Sequence, residues 1–398
     1  MTTVTVLGLP RRHSDDDLTA LARADVVAGG RRHLDATRHL WSPRAEEVAL
    51  AGDLAPALER VAAAAAPVVL ASGDPGFFGI VRALGERVGA EALDVRPAAS
   101  AITLAFARAG LSWDDARIVS AHGRDPAPAV ATCRRFPKVA VLTAPDFGPT
   151  DLARALDGVD RVLVVAERLG GDGERVVRGS PAEIAAQRWQ DPNTVIVLDP
   201  RARPAGRSDA APARVAPAAW ALDEAAFSHR DGMITMAEVR AVALAWLGPG
   251  PGDLVWDVGA GSGSVAVEAA RLGAAVIAVE RDGGQCDLVR VNAERHAVPV
   301  QVVRGVAPEA LTDLPAPDAV FVGGGGADVV AAAAAAARRT VVVALATVER
   351  VGPVIAALET AGLEVDGTQV AASRLAVLPA GHRLAAANPV FLLRGRRP

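Results

Sequence analysis

The stretch that most constrains this chain is residues 254–280, LVWDVGAGSGSVAVEAARLGAAVIAVE. An apolar run, Leu254 to Val258, leads into Asp257-Val258-Gly259-Ala260-Gly261-Ser262-Gly263. A helical segment, Val265 to Arg271, follows, and then a second apolar run from Ala275 to Val279. Glycines at such a junction let the backbone turn tightly and approach a ligand, while the helix start behind them leaves N–H donors free. The second run closes on Glu280, where a carboxylate suits the two hydroxyls of a ribose. Strand, glycine turn, helix and acidic strand end together predict a doubly wound α/β unit with a nucleotide-type ligand at one edge of its sheet.

Glycine spacing separates the possible ligands. The dinucleotide fingerprint GxGxxG needs glycine at position 264, which is Ser264. An acidic residue followed by GxGxG resembles motif I of class I S-adenosylmethionine methyltransferases instead. Further strands expected at Val300 to Val303, Ala319 to Val322 and Thr340 to Ala344 make the sheet of this half mostly parallel.

Residues 199–219, DPRARPAGRSDAAPARVAPAA, are rich in proline and small residues and have no apolar periodicity, as in a linker. They divide the chain into residues 1–200, a linker at 201–221 and residues 222–398. The first half also alternates strands and alanine-rich helices, with strands expected at Val4 to Leu7, Pro67 to Ala71, Val139 to Thr143, Arg161 to Ala166 and Val195 to Leu198. With 51% apolar and 22% charged residues both halves can bury a core.

The formal charge of −4 provides no basic field to draw the chain onto nucleic acid or an anionic membrane. Lys138 is the single lysine, so the cationic residues are otherwise arginines, whose guanidinium fork suits a ligand with many carboxylates. Cys133 and Cys286 are far apart and lie in no CxxC or Cys/His cluster, so neither a disulfide framework nor a metal site is expected. No secretion signal or membrane-length apolar run is visible, which predicts a cytoplasmic protein.

Two resemblances sharpen this reading. His229-Arg230-Asp231-Gly232-Met233-Ile234-Thr235-Met236-Ala237-Glu238-Val239-Arg240, Val306-Ala307-Pro308-Glu309-Ala310-Leu311, Phe321-Val322-Gly323-Gly324-Gly325-Gly326 and Asn388-Pro389-Val390-Phe391 resemble the corrin C15-methylating, decarboxylating family over about residues 222 to 396. The resemblance implies cofactor contacts from Thr235, Gly259, Ala260, Gly261, Ser262, Gly263, Glu280 and Ala307. Val306 departs from the aspartate that relatives often carry. The glycine run Gly323, Gly324, Gly325 and Gly326 stands where base-amino methylases carry an Asn/Asp-Pro-Pro-aromatic signature, and it leaves room for a bulky planar substrate.

In the first half, Leu70-Ala71-Ser72-Gly73-Asp74-Pro75-Gly76-Phe77-Phe78-Gly79, Pro97-Ala98-Ala99-Ser100-Ala101-Ile102, Val119-Ser120-Ala121-His122-Gly123-Arg124, Val141-Leu142-Thr143 and Ala166-Glu167-Arg168-Leu169-Gly170 resemble the tetrapyrrole methylase family over residues 4 to 198. That fold binds S-adenosylmethionine between two α/β lobes. The resemblance implies a pocket lined by Gly73, Asp74, Pro75, Ser100, Ala101 and Leu142. Leu9-Pro10 departs from the family's glycine-rich start. His122 and Arg124 are candidates for proton transfer and for holding substrate carboxylates, although a lone histidine more often makes a structural hydrogen bond.

Together the halves resemble the fused decarboxylating precorrin-6Y C5,15-methyltransferases. The resemblance implies one S-adenosylmethionine site per domain and a precorrin substrate methylated at C5 and C15, with loss of the ring C acetate carboxyl. It also implies a homo-oligomer. No catalytic Ser/His/Asp or Cys/His set is visible, in keeping with direct methyl transfer. The alternatives are methylation of RNA or another small molecule, and a cofactor or tetrapyrrole sensor without turnover.

Overall fold

The computed structural model describes residues 2–9, 13–171, 173–201, 220–230 and 233–398. Pro10, Asp231, Gly232 and all but the ends of the expected linker lie outside the described residues. By contact the chain divides into two units. One comprises Met1–Asp114, Val164–Gly179 and Gln187–Ile196; the other comprises Asp115–Leu163, Ser180–Ala186 and Val197–Pro398.

The first unit is built on strands β1 (Val4–Leu9), β2 (Val26–Gly29), β3 (Glu46–Ala49), β4 (Pro67–Ser72) and β5 (Leu93–Arg96), in the order β3-β2-β4-β1-β5. Every pairing is parallel, with Leu9 opposite Ser72, Gly29 opposite Leu70 and Leu7 opposite Arg96. Parallel strands deliver all their exit loops to one edge, so the residues after Leu9, Gly29, Ser72 and Arg96 share it. Side-chain alternation buries both faces. Val4, Val6, Val26, Ala28 and Val69 meet Leu58, Val61 and Leu84 on one side. Leu7, Leu9, Val27, Val68 and Leu70 meet Leu21, Leu34 and Trp41 on the other. The four-residue strands β2, β3 and β5 are too short to show in an apolar pattern.

The other strands of the first half are β6 (Arg117–Ser120), β7 (Lys138–Leu142), β8 (Val162–Glu167), β9 (Arg175–Gly179) and β10 (Asn193–Leu198). In the second unit, β6 and β7 pair in parallel with Ser120 opposite Leu142. The helix Ala127–Arg135 in the same unit buries Ala131 in the core that contains Trp256 and Ile277.

The rest of the second unit is β11 (Leu254–Val258), β12 (Ala275–Glu280), β13 (Gln301–Arg304), β14 (Ala319–Val322), β15 (Thr340–Leu345), β16 (Glu364–Val370), β17 (Ser373–Leu378), β18 (Gly381–Ala386) and β19 (Val390–Arg396). Seven of these form one sheet, β13-β12-β11-β14-β15-β19-β16. The first five strands in that order pair in parallel, and β19 runs antiparallel between β15 and β16. This is the mostly parallel, doubly wound α/β sheet expected. β17 and β18 form a separate hairpin. Trp256, Val258, Ile277 and Val279 face the core shared with Val329 and Leu358, whereas Val255, Val276 and Phe321 face the helices Ala237–Leu247 and Ser264–Arg271. Among the described residues, no helix is long and apolar enough to cross a membrane.

One buried ion pair ties this second face together. Arg240 is 0% and Glu268 1% exposed, and Arg240 Nε donates to Glu268 Oε1 at 2.7 Å. Glu268 also accepts the N–H groups of Ala221 at 2.5 Å and Leu222 at 2.9 Å. Arg240 Nη1 and Nη2 donate to the carbonyls of Thr235 and Leu222. Breaking such a pair leaves one charge stranded in low dielectric, whereas replacing both partners does not. Glu268→Ala is therefore expected to destabilise by about 3–5 kcal/mol, with Arg240→Met plus Glu268→Leu recovering much of that loss in urea denaturation.

Candidate active site

The predicted glycine turn lies at the C-terminal edge of the seven-stranded sheet. Gly259 and Ala260 donate to Val279 O at 2.9 and 3.2 Å, so the turn folds over the end of β12. Gly259, Gly261 and Gly263 have φ of +71°, +54° and +76°, a region that costs an L-residue about 1–2 kcal/mol. Two of them are also sterically closed. A Cβ at Gly259 would lie 2.8 Å from Gly324 N, and one at Gly263 would lie 2.8 Å from Val289 Cγ1. A Cβ at Gly261 would meet nothing within 4 Å, so the open space of the cradle is at that residue.

Glu280 is 9% exposed and holds the turn in place. One oxygen accepts Gly261 N at 2.9 Å and the other accepts Asp282 N at 3.0 Å, which leaves lone pairs for ligand hydroxyls. Gly305 N donates to Glu280 O at 3.0 Å, which lays the half-buried Ala307 segment beside the same strand end. Beneath the turn, Asp257 is buried. Its Oδ2 accepts Ala266 N at 2.9 Å, while Oδ1 has no partner. Burial, reinforced by the charge of Glu280, pushes its pKa up to about 7 against the opposing pull of the Ala266 N–H. A cationic ligand over the turn would relieve that crowding of carboxylates, so this donor set fits the sulfonium of S-adenosylmethionine.

Thr235 is half-buried, and its segment is anchored at both ends. Its carbonyl accepts Arg240 Nη1 at 2.5 Å, and Ala237 N donates to Glu224 at 2.9 Å. Arg374 of β17 holds Glu224 well below the usual carboxylate range, to about 2. Sequence reasoning missed Asn292, which is fully buried. Its Nδ2 donates to Ser262 O and to Ser228 O, each at 2.8 Å, and its Oδ1 accepts Ser228 N at 2.7 Å. The glycine turn and the segment leading to Thr235 are thereby joined. The available signal was a polar residue in the buried stripe Cys286, Val289, Asn292, Ala293 of the helix Gly283–Arg295.

The run Gly323–Gly326 leaves β14 beside the turn. Gly323 N donates to Val258 O at 2.9 Å, and a Cβ there would sit 3.0 Å from Gly259 O. Gly323 and Gly324 thus allow two backbones to touch. Gly325 has φ of +118°, and Gly326 caps the helix Ala327–Ala336.

In the first unit, Gly73, Asp74, Pro75, Ser100 and Ala101 come together at the edge of the five-stranded sheet. Gly73 N donates to Leu9 O at 2.6 Å, and Ala98 N donates to Gly73 O at 3.1 Å. A Cβ at Gly73 would lie 3.0 Å from Ser100 Cα. Asp74 Oδ1 accepts Gly76 N at 2.9 Å in a turn, and Ser100 caps the helix Ala101–Ala109 through Thr103 N at 3.1 Å. Phe78 follows, half exposed and at φ +52°, an uncommon conformation for a bulky residue. Leu142 belongs to the second unit, where its carbonyl accepts Ala121 N at 2.9 Å. His122 and Arg124 follow on an exposed turn, and among the described residues neither side chain has a hydrogen bond or ion pair.

If the space at Gly261 holds the cofactor, Gly261→Ala should lower stability by only about 1–2 kcal/mol, the left-handed strain alone. It should weaken S-adenosylmethionine binding at the second half at least about tenfold in calorimetric titration, about 1.4 kcal/mol. Unchanged affinity would contradict the cradle.

The profile of the tetrapyrrole (corrin/porphyrin) methylases matches residues 14–185, and that of the precorrin methyltransferase domain matches residues 225–395. A Sinorhizobium protein named precorrin-6Y C(5,15)-methyltransferase [decarboxylating] is 38% identical over 328 residues, covering 78% of this chain and 74% of the relative. A Salmonella typhimurium cobalt-precorrin-7 C(5)-methyltransferase is 33% identical over 208 residues, 50% of this chain and 100% of that protein. The crystallised C-terminal domain of a Rhodobacter capsulatus precorrin-6Y C5,15-methyltransferase is 30% identical and covers 45% of this chain and 99% of that domain, with a TM-score of 0.41. The chain belongs to the decarboxylating precorrin-6Y C(5,15)-methyltransferase family.

Proposed function

We propose that this chain moves two methyl groups from S-adenosylmethionine onto one precorrin macrocycle, at C5 and C15, and removes the carboxyl group of the ring C acetate. In this reading residues 222–398 act at C15 and on the acetate, residues 1–200 act at C5, and each half has its own cofactor site. The observation that carries it is the presence of two separate glycine cradles, around Gly261 and around Gly73, each at the C-terminal edge of a parallel sheet. Relatives that match one half support the division. The Salmonella protein, matched over its whole length by half of this chain, is named for the C5 methylation alone.

When bound, S-adenosylmethionine supplies a methyl carbon made electrophilic by its sulfonium, open to in-line attack by an electron-rich meso carbon of the reduced macrocycle. The residues of this chain position and shield. Glu280 would hold the ribose hydroxyls, the backbone of the turn at Gly261 would lie against the ligand, and the carboxylates of Glu280 and Asp257 would favour its positive charge, with Ala266 N–H holding Asp257 in place. The side-chain-free run Gly323–Gly326 lets a broad macrocycle approach the same edge. Holding two reactants near contact can supply about 7 kcal/mol or more of barrier reduction without a covalent protein nucleophile. Decarboxylation needs an acceptor for the electron pair of the broken C–C bond, and the methylated, electron-poor macrocycle is that acceptor. His122 and Arg124, exposed and unpaired, are available to the substrate's carboxylates in the first half.

Mass spectrometry of the full chain incubated with S-adenosylmethionine and precorrin-6Y in its reduced form is expected to find a product with two added methyl groups and one carbon dioxide lost. An unchanged macrocycle with cofactor binding intact would contradict the proposal.

A further inference from the structure

A cluster of polar side chains at the edge of the first sheet has no part in the cofactor cradle. β2 ends at Gly29, and the helix Arg31–Thr37 begins beside the end of β4, which closes on Ser72. Arg32 Nη2 donates to Ser72 Oγ at 2.6 Å, and His33 Nε2 lies 2.8 Å from the same oxygen. Arg32 Nε also points at His33 Nε2, at 3.4 Å. A guanidinium only donates, so both atoms facing Arg32 use lone pairs. Ser72 Oγ therefore accepts from Arg32 and turns its own hydrogen toward His33 Nε2, which requires a neutral imidazole with its hydrogen on Nδ1.

The surroundings favour that state. His33 is half-buried, and burial together with the Arg32 charge holds its pKa below the ordinary histidine value. The elements against the helix add no counter-charge. β4 presents Ser72, and β2 carries no ionisable residue. On β3, Glu47 is taken by Arg31 at 3.4 Å and Arg38 at 4.0 Å, and Glu46 pairs with Arg60. In the adjoining turn Arg38 lies over the Trp41 ring, next to His39. A neutral base hydrogen-bonded to a serine whose oxygen accepts from a cation is the arrangement of a proton relay. Ser72 is also the residue immediately before Gly73 of the cradle.

We propose that Ser72 and His33 are the proton acceptor for the methyl transfer of the first half, with Arg32 as their positioning residue. This rests on the proposed function, in which the loop around Gly73 holds the methyl donor. As the carbon–carbon bond to C5 forms and the methyl–sulfur bond breaks with its electron pair left on sulfur, the macrocycle becomes cationic and must lose the hydrogen that C5 carried. That proton passes to Ser72 Oγ, whose own hydrogen moves to His33 Nε2. The serine ends unchanged and the imidazole gains one proton. Arg32 beside the new imidazolium speeds its release to solvent, since like charges repel.

The test uses the full chain and separates the methylations by mass spectrometry of the products. His33→Ala is expected to slow C5 transfer about 100-fold or more, the usual worth of a positioned general base. The rise of that rate with pH through the His33 titration should disappear, while carbon dioxide release and cofactor binding stay at wild-type levels. In the unliganded protein, nitrogen-edited NMR of His33 should find hydrogen on Nδ1, and Arg32→Met should move its titration upward. Wild-type C5 transfer in His33→Ala, or hydrogen on Nε2, would overturn the assignment. If the unaltered chain transfers no methyl to C5, the proposed function itself falls, and this inference with it.

Discussion

The second half depends on one backbone contact, the approach of Gly259 to Gly324. A Cβ on Gly259 would lie within 3.0 Å of two Gly324 backbone atoms, and one on Gly323 would meet Gly259 O at the same distance. Any side chain would drive apart the loops that leave β11 and β14, and with them the edge on which the site is built. Once the loops close, the left-handed turns at Gly259, Gly261 and Gly263 direct the backbone around a space, and Glu280 and Asn292 hold it through Gly261 N and Ser262 O. The buried Arg240–Glu268 pair then fixes the Thr235 segment against the same edge. The cradle is thus preorganised by hydrogen bonds made before any ligand arrives, as positional catalysis requires.

The two halves build their glycine cradles from different parts. The second uses the doubly wound arrangement, with acidic residues beneath and beside the turn. The first uses a five-stranded parallel sheet whose edge loops meet through Gly8, Gly73 and Ser100: a Cβ on Gly8 would fall 2.0 Å from Gly73 O. Carboxylates dominate the second cradle, whereas an arginine, a histidine and a serine stand beside the first. In the proposed division the first half would have to discard a proton after methyl transfer, whereas in the second carbon dioxide would leave in its place and the electron pair of the broken C–C bond would quench the cationic macrocycle, so a base is less necessary there.

Much of this was legible in the sequence because parallel α/β sheets announce themselves. Their central strands are continuous apolar runs, and the expected spans at Leu254 to Val258, Ala275 to Val279 and Ala319 to Val322 coincide with β11, most of β12 and β14. Glycine spacing separated the ligand classes because backbone approach to a ligand is a local property. Contacts between distant residues were not legible. Arg240 and Glu268 read as ordinary charges of amphipathic helices, and only packing reveals that both are buried. The pairing of Asn292 with Ser228 joins residues 64 positions apart. The strands β16, β17 and β18 escaped notice because their burial alternates irregularly on an exposed surface. Chemistry in the first half was sought at His122, whereas the denser hydrogen-bonded group is at His33, whose partner Ser72 lies 39 positions away.

The central claim is that one chain carries two independent methyl-donor sites. Equilibrium binding of S-adenosylmethionine to the full chain tests it most directly. The account predicts two sites per chain, and one remaining in Glu280→Ala, which removes the proposed ribose ligand of the second half alone. A single site in the unaltered chain, or loss of all binding in Glu280→Ala with the fold intact, would contradict it.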